Sequence, residues 1–592
     1  MAARLTPLSK FLITAVVLGG IGTLLYKNKD KLAGLAPEAE KPKSNVPPIA
    51  TLPDDPGPAV GDGAAGCADK PEVRFYHWAW NAQAGLILAT GGKQSAEGSL
   101  MCKHGVNLKL IREDNTDQMQ ALLATFAESL KKGESNPTAG AHFIAIMGDG
   151  SATFLKALND RLRKIGPDYV GVVVGSAGYS RGEDKFMGPP AWKANPQKAR
   201  GGLVAGVLRD GDWNIALKWL GDNKIPNNPD ETSYDPDALN WVAATDYIDA
   251  GQKYVSGFCT ELKNTKTGAK EKRCVDGVVT WTPGDVTVAE KKGGLVSIVS
   301  TKEYRSQMPN VIIGNKKWIN SHRDIVKGML KATFEAGDMI KHDDEALRRA
   351  TALSALVYKE KDPAYWYKYF HVVTQADAQG LNVELGGSSV NNLADNVQLF
   401  GLAPGSANIF AATYTVFGDI VKSQYPKLVP SYYPVAEVLD ASLVKELAAA
   451  AGASSGVAEA DLPKFSGERI KQVVSRRSWD IKFATGSAKF KSDALSDLKM
   501  LFKDLVVASG TIIEIHGHTD DQGSVDKNQR LSEERAFAVK KWLQDQSNAN
   551  FPAERTKVFA HGSTEPLDSN ASSEGRAKNR RVEIVLGTGA QI

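Results

Sequence analysis

Between residues 73 and 433, short apolar runs alternate with amphipathic stretches, and no other feature of the chain restricts its fold as much. Runs at 73–78, 107–111, 142–147, 169–174, 202–208, 278–281, 295–299 and 311–313 predict strands. Apolar residues three and four apart predict helices between them, at 116–132, 152–165, 214–220 and 321–340. Strand–helix alternation builds parallel sheets covered on both faces, an α/β class. The stretch suits two such lobes better than one, because single cores stop growing with chain length. In open α/β sheets ligands bind beyond the carboxyl ends of the strands, where helix N-termini present backbone N–H groups.

The flanks read differently. Residues 11–26, FLITAVVLGGIGTLLY, carry no charge and lie between Arg4 and Lys10 on one side and Lys27, Lys29 and Lys31 on the other. As a helix this run spans roughly 24 Å, just short of a bilayer core, and Leu8 extends it. Residues 1–31 are therefore expected to be a single transmembrane helix acting as a retained signal anchor. The other reading is a cleaved secretory signal, although no small-x-small site follows directly. Both readings export the remainder. Residues 32–70 hold Pro37, Pro42, Pro47, Pro48, Pro53, Pro56 and Pro58 and form an extended linker. A second linker is expected at 434–475, around AAAAGASSG, leaving 71–433 and 476–592 as folded domains. The net charge of +4 gives no reason to expect a nucleic-acid partner. Four cysteines allow three connectivities. In an oxidising compartment the expected one joins Cys259 to Cys274 across a Lys-rich loop and Cys67 to Cys102 at the start of the first domain.

Near the C-terminus, residues 513–520 form a strand that ends on the carboxylate of Asp520, and Gly523 relaxes the loop beyond. Asn528 stands where a helix cap belongs, ahead of a helix at 529–544. On that helix Arg535 interrupts a face made by Leu531, Ala538, Val539 and Trp542. A buried guanidinium needs a partner. Two readings stand: a structural salt bridge from Arg535 to Asp520 or another acid, and a joint grip by the two residues on a zwitterion. Arg580 and Arg581 are expected on opposite sides of a final strand. The acids Asp520, Asp521 and Asp526 lack the spacing of a calcium loop, so no metal is expected.

Four stretches of this region carry a resemblance: FATGSAKFKSDA (483–494), GHTDDQGSVDKNQRLSEERAFAVKKWL (517–543), HGSTEP (561–566) and GRAKNRRVEIVL (575–586). In this order they resemble the OmpA-like domain family. The resemblance implies a smaller α+β domain with helices on a mixed sheet and no catalysis. It also implies a peptidoglycan partner, with Asp520 and Arg535 gripping the free amino-acid end of diaminopimelate in the stem peptide. Asn528 and Arg580 match further family positions.

The 71–433 domain is similar to type II periplasmic solute-binding proteins, the two-lobed receptors that feed ABC transporters. The similarity rests on VRFYHWAWNAQAG (73–85) and MPNVIIGNKKWINSHRDIVKGMLKATFEAG (308–337). It implies a cleft for a small solute at Trp78, Trp80 and Asn81, at Gly148, Asp149, Gly150 and Ser151, and at Ser176 in a 175–178 turn. Thr245, Asp246 and Thr282 would face them from the second lobe. Each position also has a plainer reading: the tryptophans as core, 148–151 as a tight turn with a helix cap, His77 as a satisfied surface or core histidine. No nucleophile–base pair or metal-ligand spacing stands out, so neither an enzyme nor a cofactor is expected. The chain reads as a single-pass protein of the bacterial inner membrane with its bulk in the periplasm. It binds peptidoglycan and a small, anionic solute, and leaves a place for a membrane or transporter partner. The alternatives are an envelope anchor whose middle domain docks another protein, and an enzyme on the same fold.

Overall fold

Two mixed sheets, rather than two parallel ones, form the middle of the chain in the computed structural model. The structure describes residues 63–209, 211–451 and 460–589, all within one compact unit, Asp55–Gln591. The expected membrane segment and most of the first linker lie outside the described residues. Among the described residues no helix is long and apolar enough to cross a membrane.

The first lobe is a six-stranded sheet in the order Ser388–Val390, Gly171–Ser180, Pro309–Asn315, Phe143–Met147, Glu72–His77, Asn107–Arg112. Glu72–His77 pairs parallel with both Asn107–Arg112 and Phe143–Met147, as strand–helix alternation demands. Pro309–Asn315 is inserted antiparallel between Phe143–Met147 and Gly171–Ser180. The second lobe has five strands in the order Val296–Ser300, Lys185–Gly188, Gly277–Thr280, Leu203–Gly206, Asn240–Ala243. There Lys185–Gly188 runs antiparallel to both neighbours. The exceptions have one cause. The chain leaves the first lobe after Ser180, enters the second at Lys185 and returns into Pro309. A strand arriving from another lobe has no crossover helix on its own sheet, so nothing forces it parallel. The inner strands are buried on both faces, which is why they read as unbroken apolar runs.

Most strands and helices fall within a few residues of their expected limits. The helix expected at 321–340 is Arg323–His342, and a short helix Lys316–Ser321 precedes it, capped by Asn315, which accepts from the N–H groups of Lys317 and Trp318. Both expected disulfides are present, and Cys259 and Cys274 are opposed at the open end of the hairpin Cys259–Asn264/Lys270–Cys274.

The C-terminal domain is a four-stranded sheet in the order Gln472–Trp479, Val582–Thr588, Ile512–His518, Thr556–Gly562, with helix Val525–Gln546 on one face. It rests on the middle domain at three places. On the second lobe, Lys218 of helix Gly211–Asp222 meets Asp504 of helix Ala494–Val507. On the returning crossover, the hydroxyls of Ser306 and Ser509 lie 2.7 Å apart. On the first-lobe side, Asn550 accepts from the Ala407 N–H, and Ser547 donates to the Gly405 carbonyl.

Candidate functional site

Strand Glu72–His77 ends one residue before Trp78, so Trp78 and Trp80 occupy the turn into helix Ala84–Thr90 rather than one strand face. Both are buried. Trp80 is committed to the fold: its indole donates to Glu183 Oε2 at 3.1 Å, and its carbonyl accepts from the Tyr358 hydroxyl at 2.7 Å. Trp78 is different, because its indole N–H has no protein partner. Among the other buried groups in that condition are the indole of Trp281, the hydroxyls of Thr282, Tyr365 and Ser389, and Oδ1 of Asn81.

A chain of contacts joins the two lobes here. Asn81 Nδ2 donates to the Trp366 carbonyl (3.2 Å), the Trp366 indole donates to the Glu360 carbonyl (2.8 Å), and the Tyr247 hydroxyl of the second lobe lies 3.1 Å from both Glu360 carboxylate oxygens. The Tyr247 ring in turn lies 4.5 Å from that of Trp281. Each dry, unpaired polar atom costs about 1–3 kcal/mol. Trp78 and Asn81 follow one strand end and Trp281 and Thr282 another, Tyr365 lies on helix Pro363–Phe370 and Ser389 on strand Ser388–Val390, and water or a bound molecule can complete such groups. Glu183 closes this region from the crossover between the lobes. Burial, with Asp184 and Asp285 nearby, pushes its carboxyl well above the usual carboxylate range, although Ser388 donates to it. A neutral carboxylic acid can donate as well as accept.

The 148–151 turn also meets the second lobe. Asp149 accepts from Gln307 Nε2 at 2.7 Å, and Ser151 donates to the Gly148 carbonyl. Gly211, at the start of helix Gly211–Asp222, comes so close that a Cβ there would collide with Met147 and lie 3.2 Å from Asp149 Oδ1. Three expected solute positions are elsewhere. Ser176 is inside strand Gly171–Ser180, bonded to Asn396, Asn391 and Gly178, and 175–178 is not a turn. Thr245 and Asp246 are exposed, and both are engaged with Asp249 at the start of helix Tyr247–Val255.

In the C-terminal domain, Gly517 lies so near the Ser532 carbonyl that any side chain would collide with it, and this approach seats helix Val525–Gln546 on strand Ile512–His518. Asp520 emerges at the strand end and Arg535 from the helix. The ion pair of Asp520, however, is with Arg580, at 2.6 Å, and not with Arg535. Arg535 donates from Nε to the Ser487 carbonyl (3.1 Å) and lies over the Phe483 ring, and among the described residues neither Nη group has a protein acceptor. Burial pulls its pKa down while the charge of Asp520 works against that and the charge of Arg580 adds to it. Asn528 is not a cap. The helix starts after Ser524, beyond the left-handed Gly523, and Asn528 Nδ2 turns back to the Asp520 carbonyl at 3.2 Å. Arg580 and Arg581 precede strand Val582–Thr588 rather than lying on it; Arg580 ends helix Ser573–Asn579. The result is a pocket with one neutralised carboxylate and one open guanidinium fork.

The OmpA family pattern matches residues 482–580, the stretch that builds this pocket. The chain carries a C-terminal OmpA-family domain. Over 110 residues it is 36% identical to outer membrane porin F of Pseudomonas aeruginosa, a match covering 19% of this chain and 31% of porin F. Over 74 residues it is 43% identical to the peptidoglycan-binding protein ArfA of Mycobacterium tuberculosis, covering 12% of this chain and 22% of ArfA. The chain thus spans about a third or less of these relatives. A solved structure similar to the middle region is the alkanesulfonate-binding protein SsuA of Xanthomonas axonopodis, at 12% identity and a TM-score of 0.38, covering 63% of this chain and 99% of SsuA.

Proposed function

We propose that the OmpA-family domain binds peptidoglycan, with Asp520 taking the ammonium and Arg535 the carboxylate at the free end of a diaminopimelate stem peptide. The observation that supports this reading most is the open Nη fork of Arg535, buried beside a carboxylate yet not paired with it. An unused guanidinium fork matches a carboxylate in bidentate fashion. Arg580 holds Asp520 in place and Asn528 fixes the loop that carries it. Peptidoglycan-binding relatives such as ArfA are consistent with this assignment.

In the same reading the two-lobed domain is a binding module rather than an enzyme. It holds a small solute against the unpaired donors of Trp78, Trp281, Thr282, Tyr365 and Ser389. These are neutral donors, suited to an anionic or polar group on a partly apolar molecule. The N-terminal segment tethers the chain to the bacterial inner membrane and the bulk lies in the periplasm, within reach of the wall and of a transporter or other membrane partner.

Sedimentation of the purified protein with peptidoglycan sacculi tests the first claim. Wild type pellets, while Asp520→Ala and Arg535→Lys stay in solution with unchanged circular dichroism, because losing one partner of a paired charge costs about 2–5 kcal/mol. Both variants pelleting like wild type would remove the assignment.

A further inference from the structure

The face of the C-terminal sheet opposite helix Val525–Gln546 carries an arrangement that wall binding does not use. Along strand Ile512–His518, Ile513, Ile515 and Gly517 turn to the helix side, so alternation turns Glu514, His516 and His518 the other way. The neighbouring strand Thr556–Gly562 pairs in parallel register up to Gly517↔Ala560, then slips by one residue so that His518 pairs with Gly562. The slip is a bulge at His561, and bulges re-aim side chains. Its ring stacks between the other two histidines, with centroids 5.0 Å from His516 and 4.7 Å from His518.

We propose that His518, His561 and Glu565 form a site for a divalent transition-metal ion of the zinc class. One donor atom from each lies within 4.8 Å of the other two. A tetrahedral ion with bonds of about 2.0–2.1 Å needs donors about 3.3 Å apart, so side-chain rotation, chiefly of the exposed Glu565, completes the site. The second observation is independent of this spacing. His518 is 2% exposed, yet neither of its ring nitrogens has a hydrogen-bond partner. A buried imidazole left dry on both sides is costly, and a metal ion is a partner that a neutral imidazole accepts. His561 Nδ1 lies 2.8 Å from Glu565 Oε1, and an ion entering there takes the place of that contact. His516, bonded through Nδ1 to His561 Nε2 at 2.8 Å, orients the His561 ring as outer partners of metal-bound imidazoles do. Glu514, Glu565 and Glu583 stand here against Arg469, Arg476 and Arg581, so the negative charge at the site comes from Glu565 itself. Two imidazoles and one carboxylate select zinc, copper or nickel over magnesium and calcium. The site is separate in its residues from Asp520 and Arg535 and does not depend on the wall-binding reading.

Tag-free protein is titrated with Zn2+ against a chromogenic chelator, and with Co2+ for the visible absorption of a low-coordinate site. Wild type binds one equivalent of each, and a tenfold excess of Mg2+ displaces neither. His561→Gln and Glu565→Gln each weaken Zn2+ at least about tenfold and lose the Co2+ absorption. Because Glu565 is exposed, its variant keeps the fold, and a thermal melt verifies this. Absence of binding at about 100 μM metal, or binding that survives both substitutions unchanged, overturns the proposal.

Discussion

Replacing Lys218 by Met removes the cation from a cluster that joins the C-terminal domain to the second lobe. Lys218 is 1% exposed, with its ammonium 3.1 Å from Asp222 and 2.5 Å from Asp504. Tyr304, fully buried, donates to the same Asp222 oxygen at 2.8 Å. Burial works against the Lys218 ammonium, but the two carboxylates outweigh it and hold its pKa above the ordinary value. Methionine keeps the volume and leaves two carboxylates facing each other in a dry site. Breaking a buried ion cluster by removing one partner costs about 3–5 kcal/mol. Because the loss is local, hydrogen exchange reads it better than global unfolding. Amides of helices Gly211–Asp222 and Ala494–Val507 exchange roughly 150- to 5000-fold faster in Lys218→Met at pH 7. Burial already holds the Asp222 carboxyl above its ordinary value, and losing the cation raises it further, so acidification protonates and relieves it. The deficit therefore shrinks from pH 7 to pH 5. The triple variant Lys218→Met/Asp222→Asn/Asp504→Asn recovers most of the protection. Exchange within tenfold of wild type in the single variant would show that water already screens the cluster, and the reasoning would fail.

Arg555 is fully buried with no acidic partner among the described residues, and its guanidinium donates to the carbonyls of Leu505, Ala508, Thr511 and Asn550. Arg555→Met lowers the stability of the C-terminal domain by at least about 3 kcal/mol in urea titration, and Arg555→Lys does not restore it, since three ammonium donors cannot span four carbonyls. Burial pulls His77 to about 4 and His142 to about 3, below the ordinary 6.5. The unfolded chain therefore takes up protons first, and stability that is full above pH 6.5 is lost as pH falls towards 4 and then 3, roughly 3–5 kcal/mol for each histidine. A urea midpoint that stays constant from pH 7 to pH 4 would contradict this, and His142→Phe flattens the profile. Replacing Cys259 and Cys274 by Ser opens a 15-residue separation and costs about 3 kcal/mol, read as a lower melting temperature, and reduction lowers wild type at least as far because it also opens Cys67–Cys102.

The strands and helices of the middle domain were legible because apolar periodicity records which faces are buried. Strand direction was not, since Pro309–Asn315 looks like its neighbours in composition and differs only in where the chain comes from, and the four-residue strand Lys185–Gly188 was not among the expected runs at all. The 175–178 segment misled for a physical reason. Gly178 is there because a side chain would collide with the Ala82 and Ser389 carbonyls, not because the chain turns. In the C-terminal domain, motif order located Asp520, Asn528, Arg535 and Arg580 in one pocket, while the pairing of Asp520 with Arg580 depends on how helix Ser573–Asn579 ends. Glu183, Tyr365 and Ser389 could not be foreseen, because they come from a crossover, a helix and an edge strand far apart in the chain. His516 and His561 gain their meaning only from a slip in register.

A hinge works when its two bodies share no third support. Here helix Ala494–Val507 touches Lys218 on one lobe and helix Ile409–Gln424 beside the other, and Ser509 holds the crossover between them. The C-terminal domain is thus a brace across the joint. Any widening of the cleft has to shear this brace or carry it away with one lobe, so the energy of opening the mouth includes the energy of undocking a domain that stands outside it.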